Sequence, residues 1–131
     1  MMADRATGVI ELSGSPESVS LAREYVKTTI GADHPAVDDV TLLVSELVTN
    51  AVVHSDSHNG GKVTLTVTDG AGRIRGEVRD AGGDTVPRPC NDMLAEGGRG
   101  LLLVDLISTR WGVEDDIAGR VVWFELTYDV M

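Results

Sequence analysis

The most restrictive pattern in this chain lies between Ala36 and His54. Val40, Leu43, Val44, Leu47, Val48 and Ala51 recur at the three- and four-residue spacing of one helix face. A helix with that stripe must lay it against another element, and Asp38, Thr41, Ser45 and Thr49 are expected on the opposite, wettable side. Glu46, Asn50 and His54 stand at i, i+4 and i+8, so at about 100° per residue they form a row along the helix flank. A carboxylate and a carboxamide at the edge of a core can line a pocket. An ordinary boundary between core and solvent produces the same row, so the helix alone leaves both readings open.

The segments around it indicate what the helix packs against. Gly8 to Ser13, with Val9, Ile10 and Leu12, reads as a short strand. Ser15-Pro16-Glu17-Ser18 then starts a helix, with Ser15 as N-cap and Pro16 at the first helical position. Continued to about Ile30, that helix buries Val19, Ala22, Val26 and Ile30, leaves Arg23, Glu24 and Lys27 outside, and stops at Gly31.

Beyond the long helix, Ser55 to Gly61 is a polar loop. Lys62 to Thr68 alternates Val63, Leu65 and Val67 with three threonines, as a half-buried strand does. Asp69-Gly70-Ala71-Gly72 turns the chain into a second strand, Arg73 to Asp80, with Ile74 and Val78 inward. Ala81 to Gly98 has no sustained period, and a loop of that length in a small domain is usually functional or mobile. Arg99 to Ser108 reads as a helix through Leu102, Leu103, Leu106 and Ile107. Strands at Arg110 to Glu114 and Arg120 to Tyr128, joined by a turn at Asp115 to Gly119, close the chain, with Trp111 and Trp123 as sheet-face packing residues. This order predicts an α+β two-layer sandwich in one domain, residues 1–131, with helices on one face of a largely antiparallel mixed sheet. The other face, rich in charge and hydroxyls, is expected to meet water.

Composition narrows the function. A net charge of −10 argues against a general nucleic-acid or anionic-membrane binder, both of which need a basic field. A small anionic ligand remains compatible, because backbone N–H groups and a few arginines can build a local positive site. Cys90 is the single cysteine, which excludes an intrachain disulfide and fits a reducing cytoplasm. No apolar run of about 18 residues and no signal-like start is present, so a cytoplasmic location is expected.

Two further clusters could carry chemistry. Asp80-Ala81-Gly82-Gly83 ends a strand in an acid followed by flexible backbone. A carboxylate there can accept a hydrogen bond from an exocyclic amine while glycine lets a flat ring approach, although a strand ending in a turn looks the same. Gly97-Gly98-Arg99-Gly100-Leu101 runs directly into an apolar helix, where free N–H groups and the Arg99 fork suit phosphate oxygens. It is not a Walker loop, because no Gly-Lys-Ser/Thr follows. His34, His54 and His58 lack metal-site spacing with Cys90, and no serine sits in a Gly-x-Ser-x-Gly setting.

Taken in order, the three clusters resemble the GHKL ATPase superfamily, which includes histidine kinases, gyrase B and MutL. Glu46-Leu47-Val48-Thr49-Asn50-Ala51 looks like its N box, Asp80-Ala81-Gly82-Gly83 like its G1 box, and Gly98-Arg99-Gly100-Leu101 like its G2 box. The chain is most similar to the single-domain anti-sigma factor serine kinases of the RsbW and SpoIIAB type. That resemblance implies the Bergerat fold, an α/β sandwich that binds ATP or ADP with Mg²⁺ beneath a lid, here residues 84–97. It implies Asn50 as Mg²⁺ ligand, Glu46 as base or as the group that orients the acceptor, and Asp80 on the adenine amino group with Gly82 beside the ring. Gly98, Arg99, Gly100 and Leu101 would hold the phosphates.

The partners implied are a STAS-domain anti-anti-sigma protein, phosphorylated on serine, and a sigma factor, with Arg23 on the partner face and dimerisation as in the relatives. Neither direct nucleic-acid binding nor membrane association is implied. The sequence departs from the pattern at three points. Asp84 replaces a further glycine, the lid carries Arg88 but no lysine, and Gly119 is followed by Arg120 where relatives often have threonine. Two functions are therefore expected: a serine/threonine-protein kinase acting in a partner switch, or a nucleotide-responsive binding protein with little or no kinase activity.

Overall fold

A computed structural model of the chain describes residues 6–54, 61–80, 99–116 and 119–129. Its elements are, in order, β1 (Ala6–Ser13), α1 (Glu17–Ile30), α2 (Val37–His54), β2 (Lys62–Gly70), β3 (Arg73–Asp80), α3 (Arg99–Ile107), β4 (Arg110–Asp116) and β5 (Gly119–Thr127). The strands form one sheet in the order β1-β2-β3-β5-β4, and all four described pairings are antiparallel. β4 takes the outer edge, and β5 returns to fill the place between β3 and β4.

Period-two alternation fixes the faces of the sheet. Val63, Leu65 and Val67 of β2, Ile74 and Val78 of β3, and Phe124 of β5 are fully buried toward the helices. All six residues of the α2 stripe are buried against them, and α2 lies between α1 and α3. Ala22 and Val26 of α1 are buried as expected, while Val19 and Ile30 are half-buried and pack on the core from its edge. One close approach is cross-strand: Gly76 pairs with Phe124, and a Cβ on Gly76 would lie 2.5 Å from the ring Cε2.

Four local expectations are corrected. The last turn is shorter than Asp115 to Gly119, because Asp115 pairs with Arg120 and Asp116 with Gly119. Thr41 is buried, 7% exposed, because it stands one turn before the buried Val44 and two before Val48 at the edge of the stripe, whereas Leu42 beside it is 37% exposed. The Ser15 hydroxyl pairs with Ser13 Oγ at 2.7 Å instead of capping a backbone N–H, and its carbonyl accepts from Ser18 N–H at 3.0 Å. The β2–β3 turn is shorter than expected, because Asp69 and Gly70 belong to the strand and Gly70 pairs with Arg73. Its two loop residues, Ala71 and Gly72, both have positive φ, 57° and 78°, as a type I′ hairpin turn requires. Gly31 does end α1, with φ 96° and its N–H on the Lys27 carbonyl at 2.9 Å.

On the water-facing side of the sheet, Glu125 is clamped between two arginines. Arg110 Nη2 reaches its Oε1 at 2.6 Å and Arg75 Nη1 its Oε2 at 3.0 Å, while Arg75 Nε continues to Glu77 at 2.7 Å. The Arg110 hydrogen bond, opposed by burial and aided by Arg75, holds the Glu125 carboxyl below its ordinary pKa. Arg75 also lies 4.3 Å from the Trp123 ring centroid. Trp111, by contrast, packs on the core side and donates to Asp105 at 2.9 Å.

At the far end of β2, Asp69 gathers two partners. His34 Nδ1 accepts from Ala36 N–H at 2.9 Å, which leaves the ring hydrogen on Nε2, bonded to Asp69 Oδ2 at 2.9 Å. Tyr128 donates its hydroxyl to Asp69 Oδ1 at 2.5 Å and meets the His34 ring edge-on at 4.5 Å. Burial, then the Asp69 hydrogen bond and charge, push the Tyr128 pKa up to about 12.

Candidate functional site

Chain direction brings the candidate residues to one end of the molecule. β3 ends at Asp80, where β2 begins, since Thr64 pairs with Arg79. β1 finishes at the same end, with Ser13 opposite Lys62 and Gly14 N–H on the Gly61 carbonyl at 3.2 Å. The His34–Asp69 bond pins the start of α2 to the opposite end of the sheet. α2 therefore runs back toward the Asp80 end and carries Glu46 and Asn50 in its second half. α3 leaves toward the Asp69 end, because Thr109, just past it, donates to the Glu125 carbonyl at 2.8 Å. Its first turn is thus on the Asp80 side.

Burial distinguishes these positions. Asp80 is 5% exposed on the helix-facing side of β3, in series with Val78 and Ile74. Its cross-strand partner is Arg120, 6% exposed, whose Nε donates to Asp115 Oδ1 at 3.1 Å. Glu46 and Asn50 are half-buried on the α2 flank. The Asn50 Nδ2 is buried and has no hydrogen-bond partner among the described residues. A native fold rarely leaves a buried amide unsatisfied unless something else binds there.

The start of α3 also suits an anion. α1 carries Glu17 and α2 carries Asp38 and Asp39 in their first turns, complementing the helix dipole. α3 has no acid in its first turn, so the N–H groups of Arg99, Gly100 and Leu101 meet no carboxylate from within that turn. Gly82, Gly98 and the expected lid, residues 84–97, lie outside the described residues. Arg23 is exposed on α1.

The sequence alone does not set Arg120 opposite Asp80 and on Asp115, because that arrangement needs the β3-β5-β4 register. It also did not join His34 to Asp69 and Tyr128, which are distant in sequence. The only signal for Arg120 was its phase, since it shares a face with Phe124 and Leu126.

A groove of about 320 Å³ opens elsewhere, lined by Thr68, Gly70, Ala71, Arg73, Arg75 and Glu125 at the β2–β3 turn. It lies on the water-facing side near the Asp69 end. Two of its polar groups, Arg75 and Glu125, are paired with each other, whereas the buried amide without a partner, Asn50 Nδ2, is on the α2 half that reaches the Asp80 end.

Residues 12–126 match the family described as histidine kinase-like ATPase domain, which covers Glu46, Asn50, Asp80, Arg99 and Arg120. The chain belongs to the histidine kinase-like ATPase family. Among solved structures it is similar to the histidine kinase domain from the Erythrobacter litoralis EL346 blue-light activated histidine kinase, at 22% identity and a TM-score of 0.55. That likeness covers 86% of this chain and spans 60% of the other, and it shows the shared two-layer fold. No curated protein matches. Among the described residues no helix is long and apolar enough to cross a membrane.

Proposed function

We propose that this protein is an ATP- and Mg²⁺-dependent serine kinase that acts as an anti-sigma factor, phosphorylating a serine of a STAS-domain partner and holding a sigma factor. The observation that carries the reading is the convergence at one end of Glu46, Asn50 with its orphaned buried amide, and Asp80. Asp80 would accept the adenine amine, and the first turn of α3 with Arg99 would receive the phosphates. Among the described residues no cluster of three His, Cys, Asp or Glu side chains could cage a metal. Mg²⁺ fits such a site, because it is commonly held by one or two side chains plus substrate phosphates, here through Asn50. When bound it would neutralise charge on the phosphate oxygens.

Glu46 would take the proton of the acceptor serine as its Oγ attacks the γ-phosphorus and ADP leaves. The serine specificity is supported by the sequence likeness of the boxes to anti-sigma kinases, and Arg23, exposed on α1, fits a partner face. The test is transfer of label from γ-labelled Mg-ATP to a STAS-domain protein. Wild type is expected to give phosphoserine, and Glu46→Gln to lower the rate about 10²–10⁴-fold with nucleotide binding retained. Unchanged transfer by Glu46→Gln contradicts its role as base. The second reading, a nucleotide-responsive binding protein, rests on the same exposed α1 face. It predicts ATP-dependent capture of the partner without phosphoserine, and loss of capture but not of ATP in Arg23→Glu.

A further inference from the structure

We propose that Arg120 is a positioning residue that sets base specificity: tethered to Asp115, it holds the Asp80 carboxylate as the acceptor for the exocyclic amine of adenine. The inference rests on the nucleotide reading above and deepens it. Asp80, Arg120 and Asp115 are direct register partners across β3, β5 and β4. They share the helix-facing side of the sheet, in phase with Val78 and Phe124. Directly opposed residues bring their Cβ atoms to about 4.5–5.5 Å, within easy reach of an arginine.

Burial makes the pairing consequential. Asp80 and Arg120 are almost fully enclosed, 5% and 6% exposed, whereas the Asp115 side chain is 48% exposed. A carboxylate enclosed to that degree needs a compensating charge nearby, and Arg120 is the charge directly across from it. Arg120 is in turn fixed by its Nε bond to Asp115 at 3.1 Å. A carboxylate offers about four lone-pair sites, so Asp80 can face the guanidinium and still accept from a further donor while its own orientation is fixed. Adenine presents an amine at that point. Hypoxanthine presents a carbonyl oxygen, which a fixed carboxylate repels.

The test compares Mg-ATP with Mg-ITP, titrated calorimetrically into the full chain. An arginine lost near a triphosphate weakens both ligands alike, so the ATP-to-ITP affinity ratio isolates the effect on the base. Wild type is expected to favour ATP by at least about tenfold, as a site built around a hydrogen bond rejects the analogue lacking it. Arg120→Gln should bring the ratio close to one, Arg120→Lys should restore part of it, and Asp115→Asn should fall between wild type and Arg120→Gln. A merely structural Arg120 would lower the melting temperature and leave the ratio intact, which overturns the proposal. Should Arg120→Gln fail to fold, Asp115→Asn decides, since its side chain is half-exposed: a wild-type ratio there also overturns it. Equal wild-type affinity for ATP and ITP removes the base-reading role while nucleotide binding stands. Absence of binding to either ligand contradicts the proposed function itself.

Discussion

Thr41 and Tyr128 show how differently single polar side chains are treated inside this fold. The Thr41 hydroxyl is buried on α2 with no hydrogen-bond partner among the described residues. Replacing it by valine keeps the shape and removes an unsatisfied group, so Thr41→Val should stabilise the protein by about 1 kcal/mol, read as a rise in the urea midpoint. Tyr128 is the opposite case, because its hydroxyl is spent on Asp69. Its pKa is pushed up to about 12, so the folded state holds that proton more tightly than the unfolded chain, where tyrosine titrates near 10. The stabilisation is fully present below about pH 10 and is lost as pH rises through about 12. Tyr128→Phe should therefore cost about 1 kcal/mol at neutral pH, and its deficit relative to wild type should close between about pH 10 and 12 in urea titrations. A deficit that stays constant across that range contradicts the assignment. Neither environment was legible in the sequence. Thr41 lies at the edge of the α2 stripe, and only the folded packing reveals that the edge is covered there.

The elements themselves were largely legible, because their periods are clean. The α2 stripe and the β2 alternation each name their buried residues, and every one of those residues is buried. What the periods do not specify is where a hairpin turns. Asp69-Gly70-Ala71-Gly72 contains three good turn residues, Asp69, Gly70 and Gly72, and the register settles on Ala71-Gly72. Ala71 then sits at φ 57°, in the left-handed region where a Cβ is disfavoured. Ala71→Asn creates the preferred Asn-Gly pair and should raise stability by roughly 0.5–1 kcal/mol, a few degrees in melting temperature. Gly76 is the reverse, since its missing Cβ makes room for the Phe124 ring. Gly76→Ala should cost about 1–3 kcal/mol by overpacking, with Gly76→Ala/Phe124→Leu recovering part of the loss. If the single variant is as stable as wild type, the Phe124 ring is not confined as described.

At the scale of the whole molecule, topology does what no single motif does. The His34–Asp69 bond starts α2 at one end of the sheet, so its second half, with Glu46 and Asn50, reaches the end where β3 delivers Asp80 and α3 begins. The three boxes were readable as local patterns in the sequence. Their convergence depends on strand order, and the place of Arg120 among them depends on β5 lying between β3 and β4. The central claim is that this end of the molecule binds a nucleotide through Asp80 and Asn50. The most direct measurement is calorimetric titration of Mg-ATP into wild type, Asp80→Asn and Asn50→Ala, with folding of each checked by circular dichroism. Wild type is expected to bind one equivalent, and each folded variant to lose about 10–100-fold in affinity, the worth of a charged hydrogen bond or of a metal contact. Wild-type affinity in both folded variants, or no binding by wild type, contradicts the claim.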